Sequence, residues 1–161
     1  MLTYGVYIIT SRSGDKANGQ ISNCVFQVTS EPVRIAAVIH KDNLTHKYIS
    51  ECAAFAVCVL DQSTPMELIG RFGFTSGRNT DKLCDMTCSA GVTGCPLVSD
   101  HVLAQLEAEV CAQLDVGTHT IFVGDVVSGV VIQEGTPLTY AYYQENLKGK
   151  SPKRAPTYIP D

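Results

Sequence analysis

The chain has no uninterrupted apolar stretch of about 18 residues, the length a membrane-spanning helix requires. Its amino terminus lacks a basic segment followed by a hydrophobic core and a small-residue cleavage site, so the expected compartment is the cytoplasm, with no membrane partner. Positive charge is not in excess either. Twelve Lys and Arg stand against sixteen Asp and Glu, a formal net charge of -4, which supplies no general attraction for nucleic acid or an anionic membrane surface. A phosphate group, if one is bound, must meet a local site. There is no Gly-x-Gly-x-x-Gly fingerprint and no Walker loop, so a dedicated dinucleotide-binding domain is not indicated. Paired Cys-x2-Cys motifs are also absent. The remaining spacing, Cys84-x3-Cys88-x6-Cys95 with His101 nearby, fits common zinc sites poorly, and no metal is expected. The seven cysteines are an odd number in a chain too large to need disulfides, which favours reduced thiols.

What is present is enough for one ordinary domain. At 161 residues and 45% hydrophobic content the chain can bury a sizeable core, and with both charge signs represented it does not have the composition of a disordered segment. No repeat or low-complexity tract interrupts it. Tyr4 to Thr10, Val33 to Ile39, Ala53 to Leu60 and Thr118 to Ile132, the last broken by Gly124 and Gly129, read as strands. Thr64-Pro65-Met66-Glu67 places a capping threonine, a first-turn proline and a glutamate three residues after the cap, which predicts a helix to about Phe72. A second short helix is expected after Asn43. Val102 to Asp115 has helical propensity, but Val102, Ala104, Leu106, Ala108, Val110, Ala112 and Leu114 alternate with mostly polar residues, and the segment is read as a strand entering a hairpin. Composition and periodicity alone stop at a mainly β domain.

The most informative segment runs from Ala17 to His46. Ala17-Asn18-Gly19-Gln20-Ile21-Ser22-Asn23-Cys24 is a polar, glycine-containing turn that offers amides and hydroxyls to the edge of a planar heterocycle, or forms a plain hairpin. After the apolar run comes His40-Lys41-Asp42-Asn43-Leu44-Thr45-His46. Here Lys41, Asn43 and Thr45 stand at a helix start, where unpaired backbone N–H groups favour an anion. Ordinary capping explains Asn43 and Thr45 equally well.

These motifs resemble the flavin reductase-like family with an FMN-binding split barrel. The resemblance rests on the Asn/Ser-rich turn, the strand after Pro32 and the Lys-x-Asn-x-Thr segment, and continues in order through Phe72-Gly73-Phe74-Thr75-Ser76-Gly77-Arg78-Asn79-Thr80-Asp81-Lys82, Gly117-Thr118-His119-Thr120 and the tyrosines Tyr140, Tyr142 and Tyr143. The C-terminal stretch is similar to that of the subgroup fused in some organisms to a rubredoxin, as in high-molecular-weight rubredoxin. It implies a dimeric split β-barrel with short capping helices, comprising residues 1–147, and a basic, Pro-containing arm of the same domain over residues 148–161. That arm, with Pro152, Pro156 and Pro160, is either a free end or a segment that packs on a partner subunit or over the cofactor.

The resemblance implies FMN as cofactor and NADH or NADPH as electron donor, docking directly over the flavin. Asn18, Gly19, Gln20, Ser22, Asn23 and Cys24 would anchor the ring and influence its reduction potential. Relatives often have serine where Cys24 stands, and a thiol is the weaker hydrogen-bonding group. Lys41, Asn43 and Thr45, with Ser76, Arg78 and Lys82 from the second loop, would hold the phosphate and ribityl chain through charge-assisted bonds. His119 would contact the nicotinamide or another donor and is not assigned to proton transfer, because hydride transfer requires stacking geometry more than an acid or base. The implied activity is an NAD(P)H-dependent flavin reductase passing electrons to free flavin, to a separate rubredoxin-like protein or to another acceptor. An FMN electron carrier without direct NAD(P)H oxidation is the alternative, and a non-enzymatic flavin-binding module has no positive feature behind it.

Overall fold

A computed structural model describes residues 2–158. The elements in chain order are β1 (Tyr7–Ser13), β2 (Lys16–Ser22), β3 (Val25–Ser30), β4 (Val33–His40), α1 (Leu44–Cys52), β5 (Ala54–Leu60), α2 (Met66–Gly73), β6 (Cys88–Ala90), β7 (Pro96–Val98), β8 (Val102–Asp115), β9 (His119–Val131) and α3 (Tyr140–Glu145). Seven strands form one antiparallel sheet in the order β2-β1-β5-β8-β9-β4-β3, and β6 and β7 form a separate hairpin. The two edge strands, β2 and β3, are consecutive in the chain, joined only by Asn23 and Cys24. The sheet must therefore roll until its edges approach each other at that link. The fold is mainly β with a few short helices, as expected, and among the described residues no helix is long and apolar enough to cross a membrane.

Continuous apolar runs mark strands buried on both faces. Ile8, Cys58 and Leu60 pack on one side against Leu68, Ile69 and Phe72 of α2 and Tyr143 of α3, while Ile9, Phe55 and Val57 face Ile39, Ile49 and Phe122 on the other. The strand reading of Val102 to Asp115 is correct, but its polar alternates are not solvated. Gln105 and Glu107 are buried: the Gln105 amide donates to the Val98 carbonyl at 2.8 Å, and the Glu107 carboxylate accepts from Val92 N, Thr93 N and Thr93 Oγ1 at 2.6–3.0 Å. The β6–β7 region thus covers a face that the pattern alone assigns to water.

Four local expectations are corrected. Asn18 and Gly19 do not form a turn; they lie within β2, and the chain reverses at Gly14-Asp15, where Gly14 has φ 56°. Gly19 is needed for packing, since a Cβ there would stand 2.9 Å from Phe72 Cε1. Gly124 and Gly129 do not break β9, and a Cβ on Gly124 would meet that of Ala108 at 2.8 Å. Thr64 does not cap α2. Its hydroxyl donates back to the Asp61 carbonyl at 2.5 Å, and Pro65 occupies the cap position. Asn43 is the cap residue of α1 by position, but its side chain makes no capping bond. A third helix, α3, is capped by Thr139, whose Oγ1 accepts from Tyr142 N at 3.1 Å.

Candidate functional site

Between β2, the β4–α1 turn, the end of α2 and the C-terminal arm lies a cavity of about 340 Å³. Asn18, Gln20, Ser22, Asn23, Asn43, Thr45, Ser76, Arg78 and Lys82, drawn from three separate stretches of sequence, all line it. Apolar wall is supplied by Val38, Ile69, Phe72, Phe74, Tyr140 and Tyr143. The polar groups brace one another. Asn18 Nδ2 donates to Thr45 Oγ1 at 2.8 Å, and Asn43 Nδ2 donates to Gln20 Oε1 at 3.1 Å, so β2 is tied to the start of α1 at two successive inward-facing points. Arg78 is held by its Nη1, which donates to the Asp42 carbonyl at 2.9 Å.

Lys82 is 4% exposed, and its ammonium donates to the carbonyls of Gly19 and Phe72 at 3.0 and 3.2 Å. No carboxylate pairs with it among the described residues. Burial lowers its pKa to about 8, because the charged form has lost water without gaining an opposite charge.

Gly19, Cys24, Lys41 and His119, also expected at the site, do not line the cavity. Gly19 contributes its carbonyl to Lys82. Cys24 gives its carbonyl to Val38 N at 3.0 Å, and burial pushes its thiol pKa up, which keeps it protonated. Lys41 is turned outward to Asp115, 2.5 Å away, at the far end of the β8–β9 hairpin. His119 stands beside the cavity, edge-on to the lining residue His40 with ring centroids 4.8 Å apart. Its Nε2 donates to the Arg154 carbonyl at 3.2 Å, and in the neutral ring its Nδ1 accepts from the Thr118 hydroxyl at 2.8 Å. Burial, then the neighbouring His119, lower the pKa of His40, whose Nδ1 accepts from Asp42 N; the Asp42 carboxylate at 3.9 Å is therefore not an ion-pair partner of a neutral His40.

The arm is the part of the site that motif reading placed least well. Lys150 and residues Pro152 to Pro156 line the cavity. The Tyr143 hydroxyl donates to the Lys150 carbonyl at 2.9 Å, Asn23 Nδ2 donates to Thr157 Oγ1 at 2.8 Å, and the Tyr140 and Ser151 hydroxyls are bonded. Within the single chain this segment lies over the cavity. Pro160, at the end of the expected arm, lies outside the described residues. His40 was also missed as a lining residue, although it opens the segment that carries Asn43 and Thr45.

The sequence matches the family described as "Flavin reductase like domain" over residues 1–150. The chain belongs to this family. The flavin reductase-like chain is 48% identical over 157 residues to the high molecular weight rubredoxin of Moorella thermoacetica, covering 98% of this chain and 69% of that protein. It is 47% identical over 158 residues to the ferric-chelate reductase (NAD(P)H) of Archaeoglobus fulgidus, covering 98% and 94% respectively. Among solved structures, the flavin reductase HpaC complexed with NADP+ superposes with a TM-score of 0.76 at 25% identity, covering 86% of each chain. The cavity thus lies in a split-barrel scaffold of the flavin reductase type.

Proposed function

We propose that the protein is an FMN-dependent oxidoreductase that takes electrons from NADH or NADPH and passes them to a flavin, a rubredoxin-like protein or another acceptor. One observation carries this reading. Arg78, Lys82, Lys150, Lys153 and Arg154 line a single cavity that, among the described residues, has no Asp or Glu in its lining, in a chain whose net charge is -4. Such a concentration of one sign selects an anionic ligand. The flanking amides, hydroxyls and aromatic wall suit a ring that is apolar on its faces and polar at its edge, so the residues present fit FMN.

Asn18, Gln20, Ser22 and Asn23 would meet the ring, with Phe72 and Phe74 excluding water. Asn43, Thr45, Ser76, Arg78 and Lys82 would hold the ribityl chain and phosphate. Lys41 is not included, because Asp115 already neutralises it. When bound, FMN supplies the two-electron chemistry. The protein binds and orients it, with His119 marking the side from which a donor approaches. Exposed apolar side chains on β3 and β4 (Phe26, Val28, Val33) and on the β8–β9 hairpin (Leu114, Val116, Val127) support a homodimer. A rubredoxin-like acceptor is supported by the relative named high molecular weight rubredoxin.

The Arg154 carbonyl on His119 favours a second reading, an FMN electron carrier that does not oxidise NAD(P)H, since a donor must displace that contact. Anaerobic mixing of the FMN-loaded protein with NADH or NADPH separates the two. Rapid bleaching of the flavin band is expected; no bleaching with either nucleotide, while dithionite still reduces the flavin, would leave the carrier.

A further inference from the structure

Most of the cavity's positive charge comes from the arm. Lys150, Lys153 and Arg154 lie within a few residues of one another, whereas Arg78 comes from the loop after α2. Arg78 and Arg154 nevertheless converge on one residue. Arg78 Nη1 holds the Asp42 carbonyl at 2.9 Å, and Arg154 Nη2 lies 3.9 Å from Asp42 Oδ2. The first contact is a hydrogen bond and the second is too long to be one. The Arg154 guanidinium is half-exposed, so its planar fork is not committed to that carboxylate. Its backbone is committed, because the same residue's carbonyl receives the His119 Nε2–H. Arg154 therefore links the donor-side histidine to the turn that positions Arg78.

We infer that Arg154 is a phosphate-binding residue delivered by the arm: with Arg78 it clasps the phosphate of the flavin, and a phosphorylated flavin holds the arm over the cavity. This rests on the FMN reading above. Two guanidinium groups that meet at one turn, Arg78 hydrogen-bonded to it and Arg154 uncommitted beside it, can present paired donors to a dianion, a geometry that a lysine cannot supply in the same way. The consequence is that FMN and riboflavin, which share a ring, differ in their effect on the arm. Binding of the phosphate orders Arg154, and through its carbonyl it also settles His119.

Fluorescence-quenching titrations of the wild-type protein and Arg154→Ala with FMN and with riboflavin test this, together with trypsin cleavage after Lys153 and Arg154. The substitution is expected to weaken FMN about ten-fold and riboflavin by less than about two-fold. FMN should slow cleavage of the wild-type arm, riboflavin should not, and Arg154→Lys should recover only part of the FMN affinity. Equal loss of both flavins, unchanged FMN affinity, or equal protection by riboflavin would overturn the role of Arg154 while leaving the FMN site standing. Protection by NADP+ alone, equal to that by FMN, would overturn it as well by assigning the arm to the donor. If the wild-type protein bound neither flavin, the FMN reading itself would fall, and this inference with it.

Discussion

Asn18 on the edge strand β2 donates its side-chain amide to the hydroxyl of Thr45 in the first turn of α1 at 2.8 Å, and both residues are buried. The bond fixes the separation of the two walls that carry most of the candidate site. It also satisfies a polar group that would otherwise be stranded away from water.

Thr45→Val keeps the shape and removes the acceptor. The Asn18 amide is then left unpaired, and a loss of about 1–3 kcal/mol in unfolding free energy is expected. Urea denaturation measures it, with Thr45→Ser as the control that retains the hydroxyl. A Thr45→Val protein as stable as wild type would mean that Asn18 finds another partner.

Lys82 makes the cavity's affinity for an anion depend on pH. Its folded-state pKa of about 8 lies below the ordinary 10.5, so in the ligand-free protein the buried ammonium opposes folding fully below pH 8, and that opposition relaxes as pH rises toward 10.5. Anion binding runs in the opposite sense. FMN affinity should be level between about pH 7, where the flavin phosphate is already a dianion, and about pH 8, and fall above it as the ammonium is lost. Titrations with FMN between neutral and alkaline pH should show that decline in the wild type and not in Lys82→Met. A decline of the same size in both would place its origin in another group.

Arg78 and Lys41 should separate cleanly. Arg78→Ala removes a cavity cation and is expected to weaken FMN about ten-fold while sparing riboflavin, which lacks the phosphate. Lys41→Ala breaks a partly exposed pair with Asp115 and should leave both affinities within about two-fold, as for most surface ion pairs. Equilibrium binding of the two flavins to each variant is the measurement, and a selective loss of FMN in Lys41→Ala would return that residue to the phosphate site.

Local order explains which features were legible in the sequence. The apolar runs at Val33 to Ile39 and Ala53 to Leu60 are strands because nothing in them competes with burial on both faces, and the two-residue alternation of Val102 to Leu114 outweighed helical propensity once neighbouring strands were available. Asn18-Gly19 misled because the pair is a strong turn signal whose conformation here is set by strand pairing with β1 and by Phe72 pressing on the glycine. Thr64 and Asn43 misled for a related reason. Each had the right side chain for a cap, but Asp61 and Gln20 offered it another partner.

For this protein the order of its motifs determined the family and most of the residues around the cavity, because polar side chains interrupting apolar strands leave a trace in a linear pattern. Tertiary structure alone decided that Lys82 is buried with no counter-charge among the described residues, that Lys41 is paired with Asp115, and that a basic tail returns over the cavity to touch His119. These depend on which groups meet across tens of residues, and the charge a side chain carries does not specify the partner that will neutralise it.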